Sequence, residues 1–189
     1  MMRYPILALL AFLPLVQGCV PLVVGGAAAT TAVVANDRRT VGTMTEDENI
    51  EIRVAGRLRD RYGNDLNVSP TSYNRTVLLT GQAPDAKTRT EAETIARSVQ
   101  NVRNVFNEIA VAGASSLTSR SNDSIITSKV KGRLVDSGKI NAIHIKVVTD
   151  NGIVYLMGLV NRQEADAATA VARTTSGVQK VVRAFEYIN

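Results

Sequence analysis

Val130-Lys131-Gly132-Arg133-Leu134-Val135-Asp136 repeats Val54-Ala55-Gly56-Arg57-Leu58-Arg59-Asp60, and the match between these two stretches decides the fold. Further out, Val154-Tyr155-Leu156-Met157-Gly158 repeats Val77-Leu78-Leu79-Thr80-Gly81 with a one-residue slip. Ile95-Ala96-Arg97 returns as Val171-Ala172-Arg173, and Val102 with Val105 returns as Val178 with Val181, both back in the first register. Four blocks in one order mark an internal duplication, so the chain reads as two copies of one unit.

Each copy opens on an amphipathic helix, because Ile50, Val54 and Leu58 fall four apart, as do Ile126, Val130 and Leu134. In the second copy Ile143, Ile145 and Val147 alternate with His144 and Lys146, which predicts a half-buried strand. Asn151-Gly152 marks a tight hairpin turn, since both residues accept positive φ, and Ile153 to Gly158 returns as the partner strand. Asn161 and Glu164 form a capping box for a second helix that buries Ala165, Ala168, Val171 and Ala172 and ends at Gly177. Val178 to Ile188 is the last strand. The order is αββαβ, twice. The fold class is α+β, each copy a three-stranded mixed sheet packed on two helices.

The copies span residues 46–112 and 121–189, joined by a small-residue linker at 113–120. Residues 19–45 contain the low-complexity run Gly25 to Ala32, followed by polar Asn36 to Arg39, and read as a tether, with a short bilayer-bound helix as the alternative. Ahead of them, residues 1–18 read as a secretory leader: Arg3 is positive, Ile6 to Val16 is apolar and Gly18 is small. Pro5 and Pro14 interrupt a run already short for a membrane span. The single cysteine, Cys19, follows Leu15-Val16-Gln17-Gly18, a sequence that resembles a bacterial lipobox. That resemblance implies cleavage before Cys19 and acylation of its thiol and new amine; an ordinary leader with a stray thiol is the alternative. Two or more acyl chains anchor a protein stably without any spanning segment. Val20 stands where the inner-membrane retention aspartate would be, which by the same resemblance points to the periplasmic face of the outer membrane.

Composition narrows the chemistry. Arg3 is the leader's only charge, so the remainder of this chain of net charge +5 keeps a mild basic excess. A secreted address and the absence of tryptophan argue against a nucleic-acid partner. His144 is the only histidine, and alternation places it on the solvated side of its strand. No second histidine or free thiol completes a zinc site or a Cys–His pair, so neither enzyme activity nor a metal or other cofactor is expected. Asp47, Glu48 and Glu51 read as solvated groups that favour a helix dipole. Asp60 and Asp136 recur, which suggests a shared structural role. Arg53, Arg57, Arg59 and Arg61 form a solvated basic face, or else an interface with the second copy or a partner protein.

The paired αββαβ units, Gly81 and Gly158 in matching strands, and Gly177-Val178 with Val181 at the last strand resemble BON domains. Behind a lipobox, the whole chain resembles the dual-BON outer-membrane lipoproteins, including Asp37-Arg38-Arg39-Thr40-Val41-Gly42-Thr43 and Val154-Tyr155-Leu156-Met157-Gly158-Leu159-Val160. The first copy departs from the pattern where Asn101 replaces the glycine. The resemblance implies binding of anionic phospholipid through the second copy's first helix, with support of envelope integrity at the outer membrane and division site.

The two first helices differ in a way that bears on this. With Ile126, Val130 and Leu134 as the core stripe, Ile125 and Val135 fall on or near the opposite face, with Ser128 and Gly132 between them. Lys129 lies on one flank and Lys131 on the other, while Arg133 borders the core. The first copy has Asn49 for Ile125 and Arg59 for Val135. Apolar groups framed by cations suit a helix lying at an anionic surface, with phosphatidylglycerol or cardiolipin as the partner and the protein a monomer. Packing of Ile125 and Val135 on the linker or the first copy is the alternative. An adaptor that docks envelope-assembly or peptidoglycan-remodelling proteins is the competing function. The resemblance also implies a tryptophan where Ile125 stands, a residue with stronger interfacial preference.

Overall fold

Thr40 starts the first helix. Its side chain accepts the Thr43 amide, and α1 runs Val41–Tyr62 with Ile50, Val54 and Leu58 buried. A capping hydroxyl satisfies one of the orphan amides of a first turn, which is why the helix starts here and not at residue 46. The computed structural model describes residues 37–63, 66–113 and 116–189. The leader, Cys19 and most of the tether lie outside the described residues. Among the described residues, no helix is long and apolar enough to cross a membrane.

After α1 come β1 (Asn67–Tyr73), β2 (Thr76–Ala83), α2 (Ala86–Arg97), β3 (Asn104–Asn107) and a two-residue β4 (Ala110–Val111). Asp85 caps α2 by accepting the Thr88 amide. The second copy follows the same order: α3 (Leu117–Asp136), a 3-10 turn at Ala142–His144, β5 (Ile145–Asp150), β6 (Ile153–Val160), α4 (Arg162–Arg173) and β7 (Lys180–Tyr187). Ser116 caps α3 through the Ser119 amide, so this helix also starts earlier than its apolar period suggests, inside the segment read as a linker. The capping box on α4 is formed as the sequence predicts, with Asn161 and Glu164 each bonded to the other's amide. The helix stops at Arg173 rather than Gly177.

In each copy the first two strands pair antiparallel and the third joins the second in parallel. The first copy's third strand is broken, so β3 and β4 each pair with β2. Gly158 pairs with Ile145, and a Cβ on it would stand 2.3 Å from the His144 carbonyl oxygen. Gly81, opposite Val68, is still tighter, at 2.0 Å from the Asn67 oxygen. No side chain fits either approach. Where the first copy lacks glycine, Asn101 adopts φ 70°, and Gly177 in the second has φ 95°. Asparagine tolerates this left-handed conformation, which accounts for the departure from the family pattern.

Among the described residues, three apolar clusters hold the fold together. Ile50, Val54, Leu58, Val77 and Leu79 meet α2 in one, and Ile126, Val130, Leu134, Leu156 and Val160 meet α4 in another. Tyr73, Leu78, Tyr155, Met157 and Ala184 form the third, where the helix-free faces of the two sheets pack on each other. β2 and β6 are therefore buried on both faces. Polar bonds border this contact, with Lys146 Nζ to Glu51 at 2.8 Å, Asn74 Nδ2 to Glu186 at 2.7 Å and the Tyr73 hydroxyl to the His144 carbonyl at 3.1 Å. All three clusters lie within Arg38–Asn189, one compact unit that carries what it needs to fold by itself.

Candidate functional site

Residues Ile126, Val130 and Leu134 are buried against β5, β6 and α4, and this turns the other side of α3 outward. Ile125 is 52% exposed and Val135 65% exposed, so both present apolar surface to solvent. Ser128, Lys129, Lys131 and Gly132 are exposed between and beside them. A Cβ on Gly132 would meet nothing within 4 Å, so the strip is open at its centre. The Ser128 hydroxyl is turned back onto the Ser124 carbonyl at 3.0 Å. Crevices lie along both sides of the helix. Lys129 borders one with Ile125, Asn151 and Gln179, and Lys131 borders another with α1 and Lys146. At the matching places on α1, Asn49 and Arg59 are exposed and polar.

Arg133 does not belong to this strip. Its guanidinium donates to Thr175 Oγ1 at 2.9 Å, Thr174 Oγ1 at 3.0 Å and the Val171 carbonyl at 3.3 Å, closing the C-terminal end of α4. Arg57 does the same in the first copy, donating to Ser98 Oγ at 2.8 Å and its carbonyl at 3.1 Å. A residue with one scaffold task in both copies is thereby committed to helix packing and to the carbonyls at a helix end, where a cation is favourable.

Two further residues depart from the sequence reading. Asp47 is buried, not solvated: it accepts from Ser72 Oγ at 2.8 Å and from the amides of Asn74 and Arg75 at 2.8 and 2.7 Å. Asp123, its counterpart, accepts the amides of Asn151 and Gly152, both at 2.8 Å. In each copy the first helix thus holds the hairpin turn through one carboxylate. Glu51 is not simply solvated either, since it accepts from the Ser72 amide and from Lys146. His144 is buried in the 3-10 turn, because the strand begins at Ile145. Asp60 and Asp136 are exposed, as is Arg59, while Arg61 lies 3.5 Å from Glu91.

The duplication has a known counterpart. The BON domain matches residues 46–113 and again 122–189. The chain belongs to the BON family. Outer membrane lipoprotein DolP of Haemophilus influenzae is 38% identical over 175 residues, which cover 92% of this chain and 90% of that protein. The 21 kDa hemolysin of Actinobacillus pleuropneumoniae is 35% identical over 80% of this chain and 79% of its own length. Osmotically-inducible protein Y of Escherichia coli is 28% identical over 75% and 72%.

This BON protein also straps its two domains together with the arginines ahead of α1. Arg38 donates to both oxygens of Glu164, at 2.7 and 2.8 Å, and to the Leu159 carbonyl at 2.6 Å. Arg39 pairs with Asp47 at 3.0 Å and lies 3.8 Å above the Tyr73 ring. The folded unit therefore begins at Arg38, in what the sequence reads as tether. The Arg38 hydrogen bonds hold the Glu164 carboxyl below its usual 4.5. A carboxylate with a lowered folded pKa contributes stability that is complete above its unfolded value and is lost as pH falls through the folded one. Arg38→Ala is accordingly expected to reduce stability more at neutral pH than under acid conditions, where Glu164 is protonated and only the bond to the Leu159 carbonyl is left to lose. Urea midpoints of both proteins from pH 7 down to pH 3 measure this, and a difference that stays constant across the range contradicts it.

Proposed function

We propose that this protein is a non-enzymatic outer-membrane lipoprotein, acylated at Cys19 and held at the periplasmic face, whose α3 binds anionic phospholipid such as phosphatidylglycerol or cardiolipin. The observation that carries the reading is the exposed pair Ile125 and Val135 flanked by Lys129 and Lys131, on a helix whose first-domain counterpart has Asn49 and Arg59 in the matching places and a lone exposed Ile52 between them. Apolar side chains enter the acyl boundary while ammonium groups meet phosphates. The basic excess of the folded unit lies mostly in the second domain, which points the same way. The relative from Haemophilus influenzae, named an outer membrane lipoprotein, supports the address. Binding of this kind supports envelope integrity and gathers the protein at anionic patches such as the division site.

Magnitudes argue for weak contact. Each cation contributes about 1 kcal/mol at an anionic leaflet, and each apolar side chain about 1.5 to 3 kcal/mol if fully buried. Offset by the cost of association, these leave an affinity that matters only when the protein is already at the membrane. The acyl anchor supplies that proximity as an effective concentration of order millimolar. Flotation of the Arg38–Asn189 unit with vesicles tests the reading. It rises with phosphatidylglycerol vesicles, falls with added salt and is absent with phosphatidylcholine alone. Equal behaviour with neutral and anionic vesicles overturns it.

A further inference from the structure

Three acids and three cations line a crevice of about 310 Å³ between α1 and the second domain: Asp47, Glu48, Glu51, Arg39, Lys131 and Lys146. Two pairs are made. Arg39 lies 3.0 Å from Asp47, and Lys146 lies 2.8 Å from Glu51. Glu48 and Lys131 are left, both exposed and neither in an ion pair or hydrogen bond with the described residues. Walls of so small a crevice lie within about one Debye length, 8 to 10 Å, so the two charges act on each other without touching.

We propose that Glu48 restrains Lys131, so that the first domain sets the strength of the second domain's phospholipid site. This rests on the lipid reading of α3 and names its regulator. Lys131 forms one flank of the strip, and a phosphate that engages it competes with the field of Glu48 across the crevice. Lys129, on the other flank, faces only a carboxylate of its own domain: its crevice is bordered by Asn122, Ser176, Gln179 and Asp123, which accepts the Asn151 and Gly152 amides. The two flanks of the helix are therefore unequal, and only one answers to the first domain. A charge change on α1 would alter membrane affinity without touching the lipid.

Vesicle titration of the Arg38–Asn189 unit decides the matter, with phosphatidylglycerol mixed into phosphatidylcholine. Glu48→Gln tightens binding about fivefold, the factor one charge carries at an anionic surface. Asp60→Asn, which removes an exposed charge elsewhere on α1, leaves binding unchanged. In a Lys131→Gln background the Glu48→Gln gain disappears, because the effect passes through Lys131. A Glu48→Gln protein with unaltered affinity overturns the proposal, as does an equal gain with and without Lys131. If the unaltered protein fails to bind these vesicles at all, the lipid reading itself falls. Because Glu48 is exposed and unbonded, the urea midpoint of the variant stays that of the parent.

Discussion

Asp47→Ala is expected to lower the stability of the folded unit by about 4 kcal/mol, from the loss of several charge-assisted hydrogen bonds at about 1.5 to 3 kcal/mol each, discounted for shared effects. Its carboxylate accepts the Ser72 hydroxyl and the amides of Asn74 and Arg75, and pairs with Arg39. Asn74 and Arg75 have φ of 49° and 64°, a conformation that a non-glycine residue holds only when its surroundings enforce it. Removing the carboxylate frees the turn and leaves the buried Ser72 hydroxyl and two half-buried amides without their acceptor. For a domain whose total stability is about 5 to 15 kcal/mol, this is a large share. Asp123→Ala costs less, about 2 to 3 kcal/mol, since Gly152 takes the second turn position without strain and no arginine pair is lost. Urea denaturation followed by circular dichroism measures both. An Asp47→Ala midpoint equal to that of the parent protein would refute the assignment.

Lys129→Glu with Lys131→Glu is expected to weaken binding to phosphatidylglycerol vesicles by about a thousandfold, as four units of charge at roughly 1 kcal/mol each. The double variant should keep its fold, because both side chains are exposed and neither carries a bond in the structure. Arg133→Glu provides the contrast. It breaks the ties to Thr174, Thr175 and Val171, and so should lower thermal stability, with less effect on lipid. Lipid-induced NMR shifts on α3 report the first effect, and the melting temperature reports the second. Shifts that persist in the Lys129 and Lys131 double variant, with the fold intact, would remove α3 from the mechanism.

Much of this architecture was legible because duplication repeats its own evidence. The core stripes of α1 and α3, the Asn151-Gly152 turn and the Asn161 capping box are local patterns, each set by residues a few positions apart. Arg133 shows the limit. Its place at the edge of the core was readable, but its partners at the end of α4 lie about forty positions away in sequence, and only folding brings them within reach. Even so, a signal was present. Arg57 and Arg133 recur in both copies, as do Asp47 and Asp123, and recurrence in copies with different outer faces points to scaffold duty. The same comparison, applied to Ile125 and Val135, marks what does not recur and so what is free to serve one domain alone.

The union of the two domains left only an ambiguous mark in the sequence, one that periodicity does not separate from a helix-covered sheet. Val154-Tyr155-Leu156-Met157 and Val77-Leu78-Leu79 are apolar at successive positions, the mark of a strand covered on both faces. What covers the second face is a nonlocal fact.

By itself, the sequence determined the element order, the duplication, the core residues and the outward direction of Ile125 and Val135, because all of these follow from helix and strand periods along a single segment. The tertiary structure alone decided that the sheets pack back to back, that Arg38 and Arg39 strap the domains, and that Glu48 and Lys131 remain unpaired across one crevice. Those depend on which apolar faces and charges meet in the folded chain, and that is settled by distances between segments far apart in sequence.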